Sequence, residues 1–216
     1  MGGIYEYEHP YLTVDCVLFR LREKLEVLLH RRCDEFGEYA LPGGFVGIDQ
    51  LAEDVLREKV WKKTGADGYY FEQLRTYDAL DRDPRGRVVS MAYIGLTQNQ
   101  EEMPGWFQVD RAGEMLTSVN NPSVKVPFQV LGFDHSQILK DALDRLGGKL
   151  WWSDLPGRLL PEIFTIRQVD DLFFELEGKR TGMLRRQLGD RVIEVGTISG
   201  TGGRPLKTYR WNFKEG

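Results

Sequence analysis

The sequence contains only two cysteines, Cys16 and Cys33, and they lack the spacing of a metal-binding motif. We therefore expect buried or incidental thiols in a reducing cytoplasm. The chain also lacks an apolar run of the roughly 18 to 20 residues that a membrane-spanning helix needs. Its first residues, MGGIYEYEHPYL, lack the basic-then-apolar order of a secretion signal. These absences predict a soluble, cytoplasmic protein.

The composition supplies enough apolar material for packed cores. Of the 216 residues, 41% are hydrophobic and 12% are aromatic, which suits one large domain or two of ordinary size. The charge is divided unevenly. Residues 1–148 contain 24 acidic against 17 basic side chains, whereas residues 149–216 contain 9 against 12. Such a basic segment on an acidic body indicates either an anionic polymer as partner or the solvated surface of a small domain.

The first part of the chain alternates strand and helix patterns. Runs rich in Val, Leu and aromatic residues predict strands at 11–19, 25–32, 68–80 and 87–96, with another at 106–109. Apolar spacing predicts helices at 50–64 and 134–146, the second with Asp134 as its capping residue. Residues 110–126 show little pattern.

A glycine- and proline-rich stretch, GGKLWWSDLPGRLLPE, marks the boundary between residues 1–148 and 149–216, and its tryptophans indicate a packed linker. Beyond it, Thr165 is expected to cap a helix that ends at Gly178. A short helix at about 181–188 and a strand, a Gly-rich turn and a strand follow. This order predicts a winged helix-turn-helix, a DNA-reading unit, with Tyr209 and Trp211 in its core.

The stretch from LPGGFV to TGA resembles the signature of the Nudix hydrolases, which implies an α+β fold: an α/β/α sandwich with a mixed sheet. Aligned on Gly44 and Gly65, the signature places Gln50 at the first expected Glu, Glu58 and Lys59 at the Arg-Glu pair, and Lys62 and Lys63 at the Glu-Glu pair. Lysines would repel the divalent metal that hydrolysis needs. We therefore expect neither catalytic residues nor a metal or cofactor site. Sliding the signature by one residue restores Arg57 and Glu58 but not the paired acids. Glu53, Asp54 and Glu58 could hold a metal adventitiously or form a solvated helix face.

The resemblance implies that the fold is kept as a receptor. The segment RDPRGRVVSMAYIGL is similar to ADP-ribose-handling Nudix proteins, and its arginines either bind phosphates or decorate a hairpin turn. His135, in FDHSQI, either contacts an effector, couples the domains or is an interior histidine. The candidate effector-binding residues are Arg31, Arg82, Arg85, Arg87 and His135.

The combination of LGFDHSQIL with GMLRRQL and GGRPLKTYRW resembles the Nudix-related transcriptional regulators over nearly the whole chain. The resemblance implies a homodimer that binds operator DNA under control of an effector such as ADP-ribose or a sugar. Leu184 and Leu188 are expected to anchor the short helix. The candidate DNA-binding residues are Lys179, Arg180, Thr181, Arg185, Arg186, Arg204, Lys207 and Arg210.

The sequence therefore predicts a DNA-binding regulator, most simply a repressor, with a non-catalytic sensing domain. Two alternatives remain open. One is a Nudix hydrolase that cleaves ADP-ribose or a related diphosphate, and the other is a winged helix used for protein contacts.

Overall fold

The computed structural model describes residues 8–32, 34–64, 69–110, 114–200 and 205–213, with only the backbone at 63 and 64. The first part of the chain contains β1 (Tyr11–Leu21), β2 (Leu25–Leu28), β3 (His30–Arg31), β4 (Tyr39–Ala40), β5 (Gly43–Phe45), α1 (Ala52–Thr64), β6 (Tyr70–Tyr77), β7 (Val88–Thr97), β8 (Trp106–Val109), β9 (Met115–Ser118), β10 (Lys125–Pro127) and α2 (His135–Lys149). The second part contains α3 (Leu155–Leu159), β11 (Phe164–Thr165), α4 (Ile166–Glu177), α5 (Leu184–Leu188), β12 (Val192–Ser199) and β13 (Pro205–Trp211).

Eight strands of the first part form one sheet in the order β10-β9-β8-β2-β1-β7-β6, with β5 also paired to β1. The central pair β1 and β7 is parallel, with Tyr11 opposite Val88 and Arg20 opposite Thr97. The other pairings in this sheet are antiparallel. The expected mixed sheet is therefore confirmed.

The two faces of β1 bury different cores. Val14, Cys16 and Leu18 pack with apolar residues of α1, whereas Val17 and Phe19 belong to the cluster that includes the buried face of α2. This alternation follows the two-residue period of a strand and places one helix on each side of the sheet. The predicted sandwich is confirmed, and burial raises the pKa of the Cys16 thiol. Cys33 lies outside the described residues.

The second part has the order of elements expected for a winged helix-turn-helix, with α4 and α5 followed by the paired strands β12 and β13. Thr165 caps α4 through a capping box with Gln168, and Gly178 ends the helix in the left-handed conformation, with φ 73°. Leu184 and Leu188 of α5 are buried, as are Tyr209 and Trp211 of β13. Strand β13 pairs with both β11 and β12 to form the wing sheet. These features confirm the predicted cap, anchors and wing core.

Several boundaries differ from the expectations. Residues 110–126 include β9 and the start of β10. Helix α2 continues through two glycines to Lys149, so the expected domain boundary falls inside a helix, and α5 begins only at Leu184. Asp134 precedes α2 but makes no side-chain capping bond, because its carboxylate is taken by Arg82. Among the described residues, none of the helices has the length and apolar character needed to cross a bilayer.

Candidate functional site

A buried cluster of charged side chains lies where β1, β7 and the start of α2 meet. Ser90 donates a hydrogen bond to the Asp15 carboxylate at 2.6 Å. Arg82 donates to both oxygens of Asp134, at 2.9 and 2.7 Å, and lies 3.4 Å from Asp15. Asp15 and Arg82 are almost entirely buried. The arginine thus balances two carboxylates inside the protein.

The charge state of Asp15 is set by competing effects. Burial alone would raise the pKa of this carboxyl, but His135, Ser90 and Arg82 together outweigh burial and hold the pKa below its ordinary value. The group is therefore an anion at neutral pH. Gly43 is needed above it, since a β-carbon there would lie 2.3 Å from an Asp15 oxygen.

His135 is an interior residue of this cluster. Its Nδ1 accepts a hydrogen bond from the backbone N–H of Leu41 at 3.0 Å, which assigns a ring proton to Nε2. Nε2 lies 3.4 Å from the Asp15 carboxylate. Of the roles considered from the sequence, the geometry favours the interior one, in which His135 ties the glycine loop to α2.

Arg85 and aromatic rings form the rim above this cluster. The Arg85 guanidinium lies 5.0 Å from the ring centre of Phe133, 5.5 Å from Phe45 and 5.7 Å from Phe36. Its Nε and Nη2 donate to Asp83 at 2.9 and 2.7 Å. Phe133 has φ 58°, a conformation rare for a bulky residue, and such strain is often found where a side chain must be aimed into a site.

A cavity of about 350 Å³ opens beside this rim. Its lining combines apolar and aromatic side chains with a single arginine: Tyr11, Leu12, Phe45, Val46, Arg85, Gly86 and Val88. This composition, with few polar groups among apolar walls, is typical of a small-molecule site. We call the rim and this cavity the Arg85 cleft.

The structure does not bring all the candidate effector residues together. Arg82 lies under the Arg85 cleft, but its guanidinium is held by carboxylates, which contradicts the expectation of a fork offered to phosphate. Arg87 donates to the carbonyl oxygens of Asp78 and Ala79, which fits the hairpin-turn alternative. Arg31 is exposed and paired with Glu38.

The sequence analysis missed Arg32, which lies over the Phe133 ring at 4.6 Å. Arg31 and Arg32 are neighbours, and successive side chains along an extended chain point to opposite sides. That alternation could have identified which of the two faces the site. Asp15 was also missed, and its signal was a carboxylate between apolar residues in the middle of a predicted strand.

Helix α1 carries the altered signature. A β-carbon at Gly44 would lie 2.5 Å from Lys59 Cε, so the lysine stem lies directly against the glycine loop. Glu58 forms an ion pair with Lys62, which lowers the pKa of the Glu58 carboxyl. Glu53 pairs with Arg57 at 2.6 Å. Over the described residues, no group of three or more His, Cys, Asp or Glu side chains could hold a metal ion.

The basic groups of the winged helix divide into two sets. Arg185 of α5 lies 5.3 Å from the Tyr209 ring and donates to the Gly189 carbonyl, while Arg186 is exposed beside it. Lys207 of the wing pairs with Glu194, and its pKa is raised by that hydrogen bond. Arg185 acts electrostatically on Lys207 as well. Arg185 and Lys207 therefore lie near each other, and we call these two cations together with the exposed Arg186 the basic face.

The remaining DNA-binding candidates lie apart from the centre of this face. Arg180 is held by Asp170 and Asp171, and the Thr181 N–H donates to Asp170. Lys179 is exposed. Arg210, another expected DNA contact, lines a cleft towards the first part of the chain, on the opposite side of β13 from Lys207. Arg204 lies outside the described residues.

Comparisons with known proteins find relatives of the whole chain and of a part of it. No family model matches the chain. The ADPR responsive transcriptional repressor NtrR of Acinetobacter baylyi is 30% identical over 221 residues, covering 97% of this chain and 85% of that protein. An ADP-ribose pyrophosphatase of Methanocaldococcus jannaschii is 32% identical over 136 residues, which cover 62% of this chain and 74% of that protein.

A solved structure matches nearly the full length. Shewanella oneidensis NrtR, crystallised with a 27mer DNA, superposes with a TM-score of 0.73 at 29% identity and covers 93% of each chain. The match therefore includes the winged helix as well as the sandwich, whereas the pyrophosphatase matches only part of the chain. Together with the near full-length similarity to NtrR, it shows that the chain belongs to the family of Nudix-related transcriptional regulators.

Proposed function

We propose that this protein is a DNA-binding transcriptional repressor whose affinity for operator DNA responds to ADP-ribose. Residues 1–148 act as the sensing domain and residues 149–216 as the DNA-binding domain, in the cytoplasm. The proposal is supported by the function that the relative's name gives for NtrR and by the DNA bound to the NrtR neighbour.

The observation that carries the proposal is the basic face. Arg185, Arg186 and Lys207 surround the short helix and the wing, which are the two elements that a winged helix-turn-helix presents to a major groove and its flanking backbone. Cations in this arrangement grip phosphates and so position the protein on DNA. Arg167, which lines the groove beside α5 with Arg185 and Arg186, extends this set.

The Arg85 cleft is the proposed seat of ADP-ribose. That ligand carries an adenine ring and a diphosphate. Phe45, Phe36 and Phe133 supply rings on which a base can stack, and Arg85 supplies a planar donor for a phosphate. Asp83 holds the guanidinium from one edge and thereby fixes its orientation.

The same domain is proposed to lack hydrolase activity. Lys59 and Lys62 place ammonium groups on the helix that would hold the metal in a Nudix hydrolase, and Glu58 is occupied by Lys62. Cations at these positions oppose the binding of Mg²⁺ because like charges repel.

A homodimer is proposed because one short helix contacts only a small part of a DNA site. A two-fold dimer presents two winged helices to half-sites about one turn of DNA, roughly 34 to 36 Å, apart. ADP-ribose then changes the relative placement of the two winged helices, and its effect on DNA affinity cannot exceed its preference for one arrangement.

The test is a gel shift of the purified protein with the intergenic DNA upstream of its own gene, at two salt concentrations and with or without ADP-ribose. We expect binding that weakens steeply with salt and changes on adding ADP-ribose. Arg85→Gln should reduce the affinity for ADP-ribose at least tenfold, whereas Arg22→Gln, a substitution in the β1–β2 turn, should not. Absence of DNA binding would favour a winged helix used for protein contacts.

The hydrolase alternative has its own assay. The protein is incubated with ADP-ribose and Mg²⁺ or Mn²⁺, and release of AMP and ribose phosphate is followed. We expect no turnover above background. Cleavage at about one per second, an ordinary enzymatic rate, would refute the proposed loss of activity.

A further inference from the structure

A second cleft lies between the sandwich and the wing. It has a volume of about 760 Å³, within the range of small-molecule sites. One wall comes from β6, β7 and the residues beside them, another from α3 and the residues that follow it, and the third from the end of β13. The lining residues that the argument uses are Tyr69, Tyr70, Gln98, Arg158, Arg210 and Phe213.

Arg158 stands between aromatic rings of the two parts of the molecule. Its guanidinium lies 5.3 Å from the Tyr70 ring and 4.2 Å from the Phe213 ring. Stacking holds the plane of this group while leaving its N–H edge available, and in the described part of the chain it forms no hydrogen bond or ion pair. Arg158 is exposed, and a guanidinium that is oriented by stacking and keeps free donors can bind an anion.

Arg210 adds a second cation on the opposite wall. Alternation along β13 turns it away from Lys207 and into the cleft, and within the described residues it has no ion-pair partner. Glu162 is the single acidic side chain in the lining so far as the structure describes it. The cleft therefore combines two arginines with tyrosine and phenylalanine rings.

We propose that this cleft binds a nucleoside monophosphate, with the phosphate between Arg158 and Arg210 and the base against the tyrosine rings. A phosphate matches the planar donors of two arginines, and a base is a flat ring of the size that aromatic walls accept. Glu162 accepts hydrogen bonds from the ribose hydroxyls. The site is separate from the Arg85 cleft and uses none of its residues.

An occupant of this cleft acts on both domains at once. Gln98 of the sandwich already donates a hydrogen bond to the Gly157 carbonyl of α3 at 3.0 Å, so the two parts meet at the floor of the cleft. A ligand held between Arg158 and Arg210 adds contacts across the same junction. It therefore stabilises one placement of the wing relative to the sandwich, which makes the cleft a second regulatory input.

The experiment is calorimetric titration of the full-length protein with AMP, alongside adenosine and inorganic phosphate as partial probes. We expect saturable binding of AMP and much weaker binding of either part alone. Arg158→Gln and Arg210→Gln should each weaken AMP binding at least tenfold and leave ADP-ribose binding unchanged. Arg210→Gln removes no contact recorded in the described residues, so it tests the charge without disturbing the fold.

The outcomes separate this site from the proposed effector site. Arg85→Gln should weaken ADP-ribose binding and leave AMP binding intact. The proposal is overturned if AMP fails to saturate at millimolar concentration, if both arginine variants bind it normally, or if ADP-ribose displaces it competitively. If the protein does not bind ADP-ribose but binds AMP in a way that depends on Arg158 and Arg210, the proposed effector is contradicted and the proposal for this cleft is supported.

Discussion

At the residue scale, the cluster around Asp15 shows how charges can be buried when they are paired with one another. Asp15 and Asp134 approach one guanidinium, that of Arg82, from two directions. Removing a charge from water costs several kcal/mol per ion, and partners must offset that cost. The cluster therefore joins β1, the β6–β7 connection and the start of α2 beneath the Arg85 cleft, and its members depend on one another.

Replacing Arg82 should be strongly destabilising. Arg82→Met leaves two carboxylates without their cation, one of them buried, and we expect a loss of about 3 to 5 kcal/mol in the free energy of unfolding. Urea denaturation measures it. The matched control is Arg22→Met, which removes an exposed ion pair with Glu102 and should cost less than about 1 kcal/mol. Equal losses of stability in the two variants would show that the buried pairing of Arg82 contributes no more than an exposed ion pair.

The lowered pKa of Asp15 predicts a pH dependence. A carboxyl whose pKa is lower in the folded state stabilises the protein above its unfolded value of 3.8, and that contribution is lost as the pH falls through the lower folded value. Asp15→Asn should therefore flatten the loss of stability in acid below about pH 4. Urea denaturation between pH 2 and about pH 7 checks this, and an unchanged acid limb would contradict the assignment.

The sequence identified some of these residues and could not identify others. Arg82 and Arg85 were found from their motif, yet the motif could not show that Asp134, 52 positions later, occupies Arg82. Asp134 was expected to cap α2, since an Asp before a helical pattern usually does so. The Arg82 guanidinium binds both oxygens of the Asp134 carboxylate, so this carboxylate does not cap the helix. Such long-range pairing depends on the folded chain and is invisible to local patterns.

At the element scale, α4 is the helix whose ends the sequence specified most fully. Thr165 accepts a hydrogen bond from the Gln168 N–H, and the Gln168 side chain accepts one from the Thr165 N–H. Thr165 caps the first turn of α4, and Gly178 adopts the left-handed conformation that ends it. Both residue types are common at helix ends, so the boundaries expected from the sequence were correct. The helix in turn supports α5.

Removing the cap should cost a measurable amount. Thr165→Ala is expected to lower the free energy of unfolding by about 1 kcal/mol. Gln168→Ala should cost less, and the double substitution should cost less than the sum, because the two bonds form one reciprocal unit. Chemical denaturation of the three variants tests this. Full additivity would show that the capping box does not act as a unit.

The basic face predicts a specific dependence on salt. Arg186→Gln should weaken binding to all DNA sequences alike and reduce the slope of log affinity against log salt by about 1, if the side chain contacts a phosphate. Fluorescence anisotropy at several salt concentrations measures the slope. Lys24→Gln, in an exposed turn between β1 and β2, is the control and should leave the slope unchanged.

Short elements were the ones that the sequence did not resolve. Strands β9 and β10 have only four and three residues, too few to display a clear alternation. Helix α5 was expected to begin near residue 181, but the Thr181 N–H is bound by Asp170 of α4 and the helix starts at Leu184. In both cases tertiary partners, rather than local preference, set the boundaries.

At the scale of the whole molecule, the linker holds the wing firmly. Trp211 donates to Asp154 at 2.8 Å, and Arg191 donates to the Trp151 carbonyl at 2.6 Å while lying over the Trp211 ring. A β-carbon at Gly157 would lie 2.3 Å from that ring. Of the two linker tryptophans expected to be packed, Trp151 lies against Phe173 with ring centres 4.6 Å apart, whereas Trp152 is 70% exposed. The apolar cluster of α2 continues without interruption into α3 and α4.

Two glycine substitutions separate this docking from helix stability. Gly157→Ala places a methyl group against a rigid ring and should lower the free energy of unfolding by about 1 to 3 kcal/mol, with a weaker effect of ADP-ribose on DNA affinity. Gly148→Ala, in the exposed face of α2 with open space around it, should instead stabilise by about 0.5 to 1 kcal/mol. Thermal unfolding and gel shifts test both, and a tolerated Gly157→Ala would contradict the tight docking.

The charge asymmetry and the order of elements were enough to predict two parts with different roles. They were not enough to predict how the parts meet, because the junction depends on Gly157, Trp211 and Arg191 coming together from separate segments. A count of basic residues likewise does not show which side of a strand they occupy, and Arg210 lies on the opposite side of β13 from Lys207.

Helix α2 begins at His135, inside the charged cluster, and ends at Lys149, whose ammonium group is anchored to Glu72 just before the linker. Its 15 residues form a rod of about 22 Å, because each residue advances a helix by about 1.5 Å. A tilt of about 5° at one end displaces the other by about 2 Å. Helix α2 therefore connects the glycine loop to the DNA-reading unit, and the length of this helix sets how far a tilt at one end moves the other.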